Sequence, residues 1–161
     1  MIGGSAGPQA MKWDSPPLAL FAAPALLGLG AAVAGFGLAP QLGLEPDTFF
    51  SDLAPLLTSW AFLLLFTAFF VHRIPAEWGD PKEMRMGVWT GVGFAFLPQI
   101  IGVGLIFCSF WFLAIIGIWL FFSTYQWKLD APPFRTGFWI GLGGLAGMYL
   151  GALAMGILLN A

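Results

Sequence analysis

Residues 87–127 read GVWTGVGFAFLPQIIGVGLIFCSFWFLAIIGIWLFFSTYQW, with no Asp, Glu, Lys or Arg among them. As one helix rising about 1.5 Å per residue, the block would reach roughly 60 Å, twice a hydrocarbon core of about 30 Å. It has to fold back on itself. Pro98 disrupts a helix, and Gly102-Val103-Gly104 tolerates the turn geometry that must follow. The block therefore divides into spans at 87–103 and 105–127, and three further apolar blocks at 18–38, 53–72 and 137–159 each have the length of one crossing. The expected fold is all-α: a single transmembrane domain over residues 1–161, built as a five-helix bundle with short loops.

The cations test that count independently. In a five-span chain Lys12, Arg73, Lys82, Arg85, Lys128 and Arg135, the six cationic residues, share one side of the membrane and the other side has none. A four-span chain would carry Lys128 and Arg135 across. The positive-inside rule thus favours five spans with a cytoplasmic N-terminus and an extracytoplasmic C-terminus, as in a bacterial inner membrane. A cleaved signal peptide is the alternative for the first block, but its apolar run of about 20 residues exceeds the usual 7–15 and is interrupted by Pro24. Trp13, Trp60, Trp78, Trp127 and Trp139, near span ends, suit the headgroup zone.

Composition sets the solvent. Of 161 residues, 59% are apolar and 9% charged, with a net charge of −2 and a mean hydropathy of +0.87. A soluble domain carries roughly 25% charged side chains. A soluble enzyme is excluded, and so is a nucleic-acid-binding module, for which no basic patch exists. The lone Cys108 offers neither an internal disulfide nor a CxxC pair, and a single histidine excludes a His-rich metal cluster. Without a GxSxG elbow, a phosphate loop or facing carboxylates, the expectation is a protein with no catalytic residues and no metal site.

Glycine spacing is the strongest local signal. Gly87 and Gly91 stand four apart in the third span, with Ala95 beyond them. The last span has Gly137 with Gly141, then Gly143, Gly147 and Gly151, then Ala152 with Gly156. The first offers Gly30 with Ala34 and Ala31 with Gly35. Small residues four apart share a helix face and let backbones approach closely, which in lipid drives association. Either the five helices of one chain use these seams, or a second copy or a partner's helix does.

Ionisable groups inside spans mark ion paths, and none lies near a span centre; Asp52, at the mouth of the second span, compensates a helix dipole. Ion-coupled transport is therefore disfavoured. Pro98 and Gln99 are the candidates for lining a cavity, since a proline frees a backbone carbonyl and an amide can hydrogen-bond beside it. His72, ending the second span, is the one candidate cofactor ligand, for haem or a chlorophyll magnesium; the alternative is a solvated interfacial imidazole. The loop from His72 to Arg85 balances Arg73, Lys82 and Arg85 with Glu77, Asp80 and Glu83.

Ala95-Phe96-Leu97-Pro98, then Ile116-Gly117-Ile118-Trp119, a short basic loop from Lys128 to Arg135 and a glycine-rich last helix resemble the Yip family of Ypt/Rab-interacting five-span membrane proteins, in its bacterial form. The resemblance covers about residues 53–161. It implies a non-enzymatic integral membrane protein acting through helix–helix contacts in membrane organisation. The long N-terminal region of eukaryotic members is missing, so Rab binding does not carry over, and the family brings no catalytic residues. The alternative is a small accessory subunit of a photosynthetic or respiratory membrane complex. Either way the expected partners are membrane lipids and other membrane-protein subunits or itself, with no nucleic acid.

Overall fold

The computed structural model describes residues 18–43, 49–94, 104–125, 128–129 and 131–159. They form α1 (Leu18–Leu38), a 3-10 turn (Ala39–Leu42), α2 (Phe49–His72), a second 3-10 turn (Ala76–Trp78), α3 (Pro81–Phe94), α4 (Gly104–Tyr125) and α5 (Pro133–Leu159). No strand occurs among the described residues. Three stretches, Ala22–Leu42, Leu53–His72 and Pro133–Leu159, are long and apolar enough to cross a membrane, with mean hydropathies of 1.8, 2.0 and 1.8. The chain is an all-α integral membrane protein.

Three helices begin four or more residues before their apolar blocks, α2 at Phe49, α3 at Pro81 and α5 at Pro133. α3 starts at Pro81 rather than Gly87 because the polar loop carries its own start signal: the Asp80 carboxylate accepts the amide of Lys82 at 2.9 Å. Pro81 takes the first helical position, where its missing N–H costs nothing, and Glu83 lies in the first turn. α5 likewise starts at Pro133 rather than Gly137, with the Pro132 carbonyl accepting the amides of Arg135 and Thr136 at 3.0 and 3.2 Å. α3 has 14 residues, about 21 Å at the usual rise, and the segment after it, including Pro98, Gln99 and the Gly102-Val103 turn, lies outside the described residues. So do Lys12, Trp13, Asp47 and Trp127, and the side chains of Asp52 and Cys108.

α5 is the axis of the bundle. Every residue from Trp139 to Tyr149 is buried, as expected for a helix that is apolar all round and surrounded by others. α1 and α3 run parallel to α5, as the pairings of Ala25 with Gly147 and of Met84 with Gly137 require. α4 runs antiparallel to it: Trp139 donates its indole N–H to Ser123 Oγ at 3.1 Å, and the Phe112 and Tyr149 rings lie 4.3 Å apart further along. α2 is antiparallel to α1, with Ser59 against Gly35. The directions therefore alternate along the chain. Arg73, Lys82, Arg85, Lys128 and Arg135 all fall at the end where α3 and α5 begin.

Candidate functional site

The crossing of α3 and α5 is made backbone to backbone. A Cβ added at Gly87 would strike the Phe134 carbonyl oxygen and lie 2.8 Å from the Phe138 nitrogen. One added at Gly137 would strike the Met84 carbonyl oxygen and lie 3.0 Å from the Val88 nitrogen. A turn further on, Gly91 faces the Phe138 carbonyl and Gly141 the Val88 carbonyl, each hypothetical Cβ about 3 Å from the other glycine's Cα (3.1 and 3.0 Å). Four glycines thus bring two backbones into contact, the close packing that helices in lipid depend on.

These pairings map onto each other when every residue is shifted by fifty positions. Met84 corresponds to Phe134, Gly87 to Gly137, Val88 to Phe138 and Gly91 to Gly141, so the helix pair has a local twofold axis along its length. The same shift is written in the sequence. Arg85, Gly87, Trp89, Gly91 and Gly93 recur as Arg135, Gly137, Trp139, Gly141 and Gly143, with Asp80 and Asp130 at corresponding places ahead of them. Comparing the chain with itself at that offset exposes the repeat, which spacing within each span does not.

A second crossing joins α5 to α1. A Cβ at Gly147 would meet the Ala25 carbonyl, one at Gly28 the Gly144 carbonyl, and one at Gly151 would lie 2.8 Å from Ala32 Cβ. Gly143 meets two helices, with the Trp119 indole nitrogen of α4 at 2.9 Å and Pro24 Cβ of α1 at 3.5 Å. A third crossing is polar. Gly35 lies against the Ser59 backbone, and Thr58 Oγ1 lies 2.6 Å from the Ala54 carbonyl and 2.9 Å from that of Gly35. Its single proton is shared between its own helix and α1, while Ser59 Oγ bonds the Pro55 carbonyl at 2.6 Å. Hydroxyls bonded to backbone carbonyls in this way are tolerated inside a membrane bundle, where an unmade hydrogen bond is costly. By contrast, among the described residues a Cβ at Gly30, Gly93 or Gly117 meets nothing within 4 Å.

A crevice of about 20 Å³ lies between Pro24, Leu63, Phe66, Val88, Ile140 and Gly144, room for something the size of one water. No group of three His, Cys, Asp or Glu that could hold a metal occurs among the described residues. His72 is exposed in the last turn of α2, followed by Arg73, whose guanidinium lies 4.6 Å from the Phe69 ring centroid. The described residues place no second ligand beside it. His72→Ala should change stability by less than about 0.5 kcal/mol, as surface substitutions do. The absorption spectrum of the purified protein should stay the same, and a visible band lost on this substitution would make the imidazole a ligand.

Comparison with protein-family models, with curated proteins and with solved structures finds no match to this chain.

Proposed function

We propose that the chain is a five-span, non-enzymatic membrane protein of Yip-like kind that acts through helix–helix contacts in membrane organisation. All five helices cross, the N-terminus lies in the cytoplasm, and the membrane is a bacterial inner membrane. The observation that carries this reading is the buried α5, clasped on one side by α3 and on another by α1 through glycine crossings. Such a bundle spends its seams on its own rigidity and turns an apolar outer wall to the bilayer, including Leu65, Phe69, Leu113 and Phe121. Alternation of helix direction with five cations at one end supports the orientation. Of the segments behind the family resemblance, Ile116-Gly117-Ile118-Trp119 lies on α4, where Trp119 covers Gly143; Ala95-Phe96-Leu97-Pro98 lies outside the described residues.

The outer wall also favours a second reading, an accessory subunit docked on larger membrane proteins. Purification in mild detergent separates the two: a colourless particle of this chain alone supports the first, and co-purifying large subunits or bound pigment support the second. Topology is tested by reporters. A fusion after Ala161 should report from the extracytoplasmic side and an insertion at Asp80 from the cytoplasm. Both on the same side would remove the five-span arrangement.

A further inference from the structure

The repeat is symmetric in its glycines and asymmetric in what covers its tryptophans. In the second unit Arg135, Trp139 and Gly143 stand four apart on one stripe of α5; Arg135 is exposed, and protein fills the stripe from Trp139 on: Trp139 is 2% exposed, its indole bonded to Ser123, and Trp119 and Pro24 lie over Gly143. In the first unit Arg85, Trp89 and Gly93 form the same stripe on α3, and it is open. Trp89 is 39% exposed, Thr90 beside it is exposed, and among the described residues nothing lies within 4 Å of a Cβ position at Gly93.

The mouth of this open track is charged and unsatisfied. Arg85 makes no hydrogen bond or ion pair among the described residues, and its Nε is buried without a partner. Leaving a buried donor of a charged group unmade is costly, and a cation near a helix N-terminus adds to the positive end of the dipole. Lys82 stands exposed one turn earlier. The described carboxylates of this helix start leave the guanidinium unpaired: Asp80 accepts the Lys82 amide, and Glu83 forms no ion pair among the described residues. Trp89 lies about 6 Å and Gly93 about 12 Å below Arg85 along the helix.

We propose that this track binds one anionic phospholipid, with the phosphate held by Arg85 and Lys82, an acyl chain lying along Trp89 into the gap over Gly93, and the Trp89 indole at the headgroup boundary. Charge complementarity selects this occupant over an apolar helix, because two cations, Lys82 and Arg85, above an apolar, glycine-floored track match an anionic amphiphile. The site rests on α3 crossing the membrane with its cationic end at the interface, part of the function proposed above.

The test measures lipid retained by the full-length protein in detergent, with phosphatidylglycerol and phosphatidylcholine of identical chains as probes and free inorganic phosphate as the third arm. The wild type should hold phosphatidylglycerol at least fivefold more tightly than phosphatidylcholine. Arg85→Gln should reduce that preference below twofold, Arg85→Lys should keep most of it, and Arg135→Gln should leave it within twofold of wild type. Gly93→Leu, which fills open space, should lower phosphatidylglycerol retention at least fivefold while the lipid-free melting midpoint stays within about 2 °C. Equal retention of the two lipids, an unaffected Arg85→Gln, or stabilisation by free phosphate equal to that by lipid would overturn the site. A dimer that Gly93→Leu dissociates with no loss of lipid would overturn it too, by giving the track to a second copy. Equal retention of both lipids by a protein whose reporters place Asp80 in the cytoplasm and Ala161 outside sinks the lipid site alone; reporters on one side sink the topology itself.

Discussion

Gly87→Ala, which adds one methyl group, should cost about 3 kcal/mol, the upper end of what overpacking usually costs. The new carbon would overlap the Phe134 carbonyl oxygen and approach the Phe138 nitrogen to 2.8 Å. Both are backbone atoms of α5, so no rotamer change can make room. The two helices have to separate, and the Gly91–Gly141 contact one turn along opens with them. The local twofold makes Gly137→Ala an equivalent lesion, because its methyl overlaps the Met84 carbonyl. Gly93→Ala and Gly117→Ala are the matched controls. They add the same carbon to open space and should be neutral or stabilising by up to about 1 kcal/mol, since alanine orders a helix more cheaply than glycine. Thermal melting of the four variants in one detergent reads the difference. Similar midpoints for Gly87→Ala and Gly93→Ala would mean that α3 and α5 do not touch through their glycines.

The helices were legible because lipid leaves one dominant rule, an apolar run about as long as the bilayer is thick. Residues 18–38 carry α1 on that rule alone. Where helices extend into water the rule goes silent. Asp80-Pro81 and Pro132-Pro133 start α3 and α5 inside polar loops, by capping and proline geometry that an apolarity scan passes over. Glycine spacing locates surfaces of close approach, but it names neither the neighbour nor the register. Gly143, Gly147 and Gly151 look like one seam; Gly147 and Gly151 meet α1 alone, whereas Gly143 meets Trp119 of α4 as well as Pro24 of α1. Gly144, which faces Gly28, has only Ile140 and Met148 four positions away, so spacing passes over it. Gly30 has Ala34 at that spacing, yet among the described residues a Cβ there meets nothing within 4 Å. Arg85 and Trp89 carry no local motif at all. They acquire meaning only against Arg135 and Trp139, whose surroundings show what the stripe looks like when filled.

Gly147→Leu should be the most damaging change in the second crossing, costing about 4 kcal/mol, in the range reserved for identifiable lesions. A Cβ here overlaps the Ala25 carbonyl oxygen, with Ala25 C at 2.6 Å and Cα at 2.7 Å. Three consecutive backbone atoms of α1 therefore occupy the site, and a leucine needs room for three carbons beyond the first. α1 cannot yield locally. Pro24, one residue before Ala25, is itself packed near Gly143 and Gly144, and Gly28 is pressed on the Gly144 carbonyl a turn later. Relief comes only if α1 leaves α5, which also breaks the Gly151–Ala32 contact and strands Thr58 and Ser59 of α2, whose hydroxyls lie against the Gly35 and Ala32 carbonyls. The expected signature is a lowered melting midpoint together with faster hydrogen exchange in α1, and α3 protected as in the wild type because its crossing with α5 lies nearer the other end. Gly30→Leu, on the open side of α1, should leave both quantities as they were. If Gly147→Leu melts like the wild type and α1 exchanges no faster, that face of α5 touches lipid and the bundle is held by α3 alone.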